Sequence, residues 1–368
     1  MKFKLITLFI TLCLGFTSCS ENEKIEVPST RTVLVYMIES DLGSSLQANI
    51  NSMIQGVTTK NLNNGHLVVY YSSTGENPEL FEIKEVNGVT TRHHIKDYDI
   101  QSAISPQVMN SVINDVVSLY PSESYGLLLS SHGMSWLPTQ YTQMLRSFGE
   151  ENKKSMEIYE LAEALPNNRF FDYILFDACY MGGIECAYEL RNKAKYIISS
   201  PTEIYSLGFP YQDIISYLFS DEPKVKEIAE TFYTFYNEKE SYNNATISVV
   251  DTEHLEELAA VTHNIINQVG LNPIYSLSTS DIQCYDRFSK HLLFDFDDFI
   301  KRISTDEQYI LFSEARDQAI IHKYNTEYDF YKRKINHFSG LSTYIPRQAY
   351  PTLNSWYTQL EWYKAVYK

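Results

Sequence analysis

Between Arg31 and about Asp251, short apolar runs closed by polar or glycine positions alternate with stretches whose apolar residues recur every three or four positions. Runs rich in Val, Ile, Leu and aromatics suit strands buried on both faces of a parallel sheet, and the longer period suits helices laid over it. The pattern predicts strands over Thr32–Ile38, His66–Ser73, Tyr125–Ser131, Tyr173–Asp177, Tyr196–Ser199 and Thr246–Val250. Helices are predicted near Ser44–Gln55, Pro106–Leu119, Ser155–Leu165 and Gly183–Arg191. Asn87-Gly88, between Leu80–Val86 and Val89–Ile95, is a strong two-residue turn signal and predicts an antiparallel hairpin flap. From about residue 252 the pattern turns mainly helical, over Glu253–Val269, Asp297–Ile321 and Trp356–Tyr367, while Leu341–Ile345 is apolar enough to return to the sheet. The expected fold class is α/β: a three-layer α/β/α sandwich around a mostly parallel central sheet, with a helical C-terminal region.

The first residues change the picture of where the chain works. Lys2 and Lys4 precede an apolar core, Leu5–Phe16, and the small residues Thr17-Ser18 stand before Cys19. This is the pattern of a signal peptide over residues 1–18, too short to span a membrane as a helix. Cys19 also resembles the lipidated cysteine of a bacterial lipobox, and SENE after it the acidic tract of surface-directed Bacteroidetes lipoproteins; the alternative is a plain signal with an incidental Cys. Residues 19–30 read as a flexible tether, leaving 31–368 as the folded part. The expected location is the cell envelope, as an outer-membrane lipoprotein that meets the membrane through its lipid only.

Charge and cysteine count narrow the function. Losing residues 1–18 removes Lys2 and Lys4 and no acid, so the net charge moves from -16 to -18. Such a surface argues against nucleic acid and would draw in cationic peptides. Past Cys19 only Cys179, Cys186 and Cys284 remain, which excludes a disulfide scaffold and permits at most a Cys186–Cys284 pair. No Cys/His group has zinc spacing, so no metal is expected. The 29 Tyr residues, many beside Phe, read as packing rather than a carbohydrate platform.

Two segments carry the candidate chemistry. YGLLLSSHG (Tyr125–Gly133) and DYILFDACYMG (Asp172–Gly182) are apolar runs that end in His132 and Cys179. In open parallel sheets functional groups sit beyond the carboxyl ends of strands, so the two suggest a thiol nucleophile and its general acid/base. Alone, a Cys is more often a small buried hydrophobe and a His an ordinary satisfied residue. A protonated imidazole beside the sulfur, with a following helix N-terminus, is expected to lower the thiol pKa. The backbone N–H groups of Gly133 and Cys179 are the natural donors to an oxyanion.

RTVLVYMIESDL (Arg31–Leu42), SSHG (Ser130–Gly133), DACYMG (Asp177–Gly182) and FSGLSTYIP (Phe338–Pro346), in this order, resemble the clostripain family of cysteine peptidases. The resemblance covers most of the chain and implies the fold shared by caspases, gingipains and legumain. It implies cleavage of peptide or protein substrates after basic residues, with a Cys-His dyad and no third acid. Asp177 would then read the basic side chain; its alternative role is to cap the following turn. SSPTEIYSLGFPY (Ser199–Tyr211) resembles the family's substrate loop but carries Tyr205-Ser206-Leu207 where the family has a second acid and Pro-Gly. Glu203 and Tyr205 are therefore candidate substrate residues in an altered pocket wall, with Glu203 equally suited to orienting the loop. The long connection after His132 holds Arg146, Lys153 and Lys154, candidate self-cleavage sites or part of an ordinary surface loop. No cofactor is expected; calcium, used by some members, is supported by no EF-hand-type loop here. A monomer is expected. The competing reading is a catalytically inactive envelope lipoprotein that keeps the fold and binds peptides or a protein partner.

Overall fold

The computed structural model describes residues 29–99, 102–138, 148–151, 154–239 and 241–368. Cys19, Arg146 and Lys153 lie outside the described residues. Nine strands form the main sheet: β1 (Ser29–Ile38), β2 (His66–Ser72), β3 (Glu79–Val86), β4 (Val89–Asp97), β5 (Ser122–Ser130), β6 (Phe171–Asp177), β7 (Ala194–Ser199), β8 (Thr246–Asp251) and β9 (Ile320–Asn325). Their order across the sheet is β9-β8-β7-β6-β5-β1-β2-β3-β4. The five from β7 to β2 run parallel, and antiparallel strands finish both edges.

β1 shows why the sheet is central. Val33, Val35 and Met37 enter one core while Leu34, Tyr36 and Ile38 enter the other. None of the six is more than 3% exposed. Successive side chains of a strand point to opposite faces, so a run with no polar alternate must be covered on both sides. The covering helices are α1 (Gly43–Gly56), α2 (Pro106–Leu119), α3 (Ile184–Glu189), α4 (Tyr211–Leu218), α5 (Val225–Asn237) and α6 (Leu255–Val269). α1, α4 and α5 pack on the Val33 face, and α2, α3 and α6 on the Leu34 face. The three-layer arrangement follows. Each large side chain buried in these layers contributes roughly 1.5–3 kcal/mol before entropy is counted.

Four predicted elements differ. The Leu80–Ile95 hairpin is no flap: β3 pairs with β2 and extends the main sheet. Leu341–Ile345 does not return to that sheet; Ser342–Thr343 pairs instead with Phe294–Asp295 in a separate ladder. The place at the edge belongs to β9, inside a stretch read as helical up to Ile321. Its sequence IIHKYN is mixed because an edge strand is only half-covered, and no Gly or Pro separates it from the helix Asp306–Ala319. The predicted helices at 297–321 and 356–367 each follow a break, giving Phe296–Ile303 before Asp306–Ala319 and Pro351–Tyr357 before Glu361–Tyr367.

Candidate active site

Ser130 of β5 and Asp177 of β6 are register partners on neighbouring parallel strands. Two residues further along each chain stand His132 and Cys179, so both emerge at one end of the sheet. They line a cavity of about 300 Å³ together with Gly133, Asp177, Glu203 and Tyr205. The topology thus gathers every pocket residue singled out in the sequence.

The nucleophile loop is held by backbone on both sides. The Tyr180 N–H donates to the Thr202 carbonyl at 2.9 Å and the Gly182 N–H to the Ser200 carbonyl at 2.8 Å. The Ser342 N–H donates to the Gly182 carbonyl at 2.9 Å. Tyr180 occupies the left-handed region at φ +60°, a costly conformation for a side-chain-bearing residue that persists only where its surroundings impose it. Here they do: its ring is fully buried and its hydroxyl donates to Glu203 Oε1 at 3.0 Å. Gly182 has no alternative, since a Cβ would lie 2.5 Å from the Pro201 nitrogen.

Cys179 itself is half-buried, and its Sγ lies 3.7 Å from the Ile204 carbonyl oxygen and 3.4 Å from the Ile204 nitrogen. Burial pushes the thiol up to about 12, with the Glu203 and Asp177 carboxylates adding and the Ile204 N–H and Arg287 opposing. This corrects the expectation of a lowered thiol pKa. The reason is physical: α3 has six residues and starts five positions on, Sγ bonds to Ile204 rather than to its N-terminus, and the nearest charges are largely acidic. In this arrangement the sulfur rests as a neutral thiol.

Across the cleft, His132 Nε2 lies 2.6 Å from Asp41 Oδ1. Asp41 follows β1 and its side chain is 82% exposed, against 21% for His132. The hydrogen bond from His132 is the leading cause that holds the Asp41 carboxyl below its usual range. Asp41 is the site residue that sequence reasoning missed; its signal was the Asp-Leu that ends the first motif. The His132 carbonyl accepts from the Gly149 N–H at 3.0 Å, which ties the chain beyond the undescribed stretch back to this loop. A Cβ on Gly133 would lie 2.5 Å from the Cys179 carbonyl oxygen, so only glycine lets these two loops meet. The amides of Gly133 and Cys179 donate to no other described residue, leaving both available to a ligand oxygen.

Asp177 forms the floor. Its Oδ2 accepts from Tyr211 Oη at 2.8 Å and from Ser130 Oγ at 3.2 Å. Burial raises this carboxyl to about 6, against those two hydroxyls and the Phe209 backbone N–H, which stabilise the charge. Its side-chain partners lie on β5, on α4 and in the loop before α4, so the carboxylate does not cap the turn that follows it. Glu203 accepts from the Tyr180 and Tyr331 hydroxyls and pairs with Arg287 at 3.1 Å, so it ties the loop to its surroundings as well as facing the cleft. Tyr205 stacks on Tyr236 with centroids 5.5 Å apart, meets Phe330 at 4.7 Å and donates to Asn244.

A profile described as the clostripain family matches residues 35–368. The chain belongs to the clostripain family. An inactive zymogen C11 protease from Parabacteroides distasonis is 38% identical, with a TM-score of 0.85 over 93% of this chain and 100% of that one. A secreted C11 cysteine protease from Bacteroides thetaiotaomicron is 30% identical, with a TM-score of 0.83 over 92% of this chain and 99% of that one. A secreted C11 protease of that organism in complex with an irreversible peptide inhibitor is similar at 31% identity and a TM-score of 0.81, over 92% and 99% of the two chains. None of the curated proteins matches this chain. The protein is a cysteine peptidase with a caspase-like α/β fold.

Other predicted features of this clostripain-family chain stand apart from the cleft. Cys186 and Cys284 are free thiols, so the permitted pair is not formed. Lys154 is exposed and begins a strand, Lys154–Met156, that pairs with Phe148–Glu151. Among the described residues, Asp295, Asp297 and His337 are grouped closely enough to hold a metal. Their carboxylates already accept from Tyr285, Tyr309 and Arg316, which makes the group an ion-pair network.

Proposed function

We propose that this peptidase is an endopeptidase that cuts after Arg or Lys, with Cys179 as nucleophile and His132 as general acid/base. The observation that carries the reading is one cleft holding Cys179, His132, the unused amides of Gly133 and Cys179, and a buried carboxylate, Asp177. Cys179 Sγ attacks the scissile carbonyl carbon as its proton passes to His132. The oxyanion forms against the Gly133 and Cys179 amides, and the C–N bond breaks as the imidazolium protonates the leaving amine. Water, deprotonated by His132, then releases the acid from the thioester. Asp177 and the loop bearing Glu203 and Tyr205 bind the basic side chain.

A neutral thiol would also suit a peptide-binding protein without activity, and equally a precursor awaiting maturation. We take the second view. Arg146, Lys153 and Lys154 follow His132 in the chain and are the basic residues available for self-cleavage. A cut after Arg146 makes Ser147 the new N-terminus, next to Phe148, whose strand holds the His132 loop. Export as a lipoprotein modified at Cys19, acting on proteins at the cell envelope, completes the reading.

The test is a peptide-library digest with the purified mature protein beside its Cys179→Ala variant, with new chain N-termini sequenced in both. Cuts confined to Arg and Lys, and new termini after Arg146, Lys153 or Lys154 in the active protein only, are expected. Cleavage indifferent to basic residues would refute the specificity, and failure of a thiol-directed peptide probe to label Cys179 would favour the binding protein.

A further inference from the structure

We infer that Arg287 forms a second subsite of the cleft, which binds an acidic substrate side chain directly next to the basic residue. The inference rests on the proposed reading only so far as a peptide crosses this cleft to reach Cys179. Among the described residues that line the cleft, Arg287 is the one Lys or Arg, set in the same cavity as the acids Asp177 and Glu203. Its charge opposes the upward push on the Cys179 thiol, so it stands within electrostatic reach of the sulfur. A group bound there belongs to a substrate residue close to the scissile bond.

The guanidinium is held in place from several sides. The chain around it folds over a buried acid, Asp286, whose Oδ1 accepts from the Phe288 N–H at 2.9 Å. Its Oδ2 accepts from the Leu292 and Leu293 N–H groups, each at 2.7 Å. Arg333 clamps the same turn, donating to the Asp286 carbonyl at 2.6 Å and the Tyr285 carbonyl at 3.1 Å. At the tip, Arg287 Nε lies 3.1 Å from Glu203 Oε1, and Cζ lies 5.7 Å from the centroid of the Tyr331 ring. Tyr331 donates to Glu203 Oε2 and Tyr180 to Oε1. Both oxygens of Glu203 are thereby engaged, and its part is to aim Arg287.

Counting donors shows what is left for a ligand. A guanidinium carries N–H groups on all of its nitrogens in one plane. The Nε of Arg287 is turned to Glu203, while Nη1 and Nη2 make no hydrogen bond to a described residue. The side chain is 41% exposed, so these donors are open to whatever enters. Two parallel N–H groups, one from each Nη, match the two oxygens of a carboxylate. A peptide carbonyl engages only one of them, whereas a carboxylate engages both and adds the attraction of opposite charge.

The test compares kcat/KM for peptides that carry Glu or Gln at each position flanking the residue before the cut, which is Lys or norleucine. The peptides are amidated and extend past the cut, so no terminal carboxylate enters the comparison. At one flanking position the wild type is expected to favour Glu over Gln by about 5- to 20-fold. Arg287→Gln should abolish that preference, Arg287→Glu should invert it, and Arg287→Lys should keep part of it. No preference for Glu at either position in the wild type would overturn the inference. A preference that Arg287→Gln and Arg287→Glu leave unchanged would do so too, as would equal losses on all peptides. The Lys-to-norleucine comparison separates the two readings. If it is flat while an Arg287-dependent preference for Glu stands, the basic-residue reading fails and this subsite remains. If it is steep while Glu and Gln are cut alike, only the subsite fails. Thermal melts identify a variant that does not fold, and Arg287→Gln or Arg287→Glu alone suffices to decide.

Discussion

The two walls of the cleft keep their protons in opposite surroundings. On the sheet side, Cys179 and Asp177 both hold protons more tightly than usual, and burial is the main cause for each. On the opposite side Asp41 is 82% exposed and gives up its proton more readily, because His132 hydrogen-bonds to it. The dry wall fixes geometry and the wet wall handles charge. A sulfur that packs against Ile204, in a loop whose backbone is pinned to Thr202, Ser200 and Ser342, cannot also be a freely solvated thiolate. Activation must therefore come from the imidazole side or from a cation arriving beside Asp177.

The largest effect that can break this comparison is loss of either reacting group. Cys179→Ala and His132→Ala are each expected to lower turnover on the order of 10⁴-fold while leaving the melting temperature nearly unchanged. The His132→Ala protein also isolates the dry wall. With a thiol near 12, its alkylation by iodoacetamide should rise about tenfold per pH unit from pH 7 to 10. A plateau below pH 8 would show that the sulfur is activated without the histidine.

Glu185 gives the next effect. It is fully buried on α3, accepts from the Thr343 hydroxyl at 2.9 Å and the Tyr344 N–H at 2.8 Å, and has one oxygen, Oε2, without a partner. Burial raises its carboxyl from 4.5 to about 7. The folded chain thus keeps a proton that the unfolded chain releases, so the stability it supports is complete below about pH 4.5 and is lost as pH rises through about 7. The loss is about 3 kcal/mol at most, because each tenfold difference in proton affinity between folded and unfolded chain is worth about 1.4 kcal/mol. Glu185→Gln should flatten that part of the profile and stabilise the protein at pH 8 relative to pH 4, read by urea unfolding at both. An unchanged slope would mean that the carboxylate is solvated in the folded state.

The smallest effect is expected on the wet wall. Asp41→Asn should reduce turnover about 2- to 5-fold, because exposed ion pairs are weak and screened. The wild-type advantage should shrink in 1 M salt. A hundredfold loss, insensitive to salt, would make Asp41 a full catalytic partner.

Much of this was legible because the chemistry lies where short-range signals are strongest. Tyr125–Ser131 and Tyr173–Asp177 are continuous apolar runs, and parallel strands place whatever follows them at one end of the sheet. That was enough to bring His132 and Cys179 together. The neutral state of the thiol was not readable, since it depends on Ile204, Glu203 and Arg287, which reach it through loops far apart in sequence. β9 escaped because half-covered edge strands lack the alternation that identifies covered ones.

The bond from Ser342 to Gly182 spans 160 positions of chain, and it closes the nucleophile loop from the far side. Contacts of such separation form late, after the entropy of closing the intervening chain has been met. A nascent or truncated chain that ends before Ser342 can build β5 and β6 and still leave Gly182 unanchored. The sulfur would then be present without its frame. A chain truncated before Ser342 is thus expected to carry both reacting groups beside a loop that lacks one of its three backbone anchors.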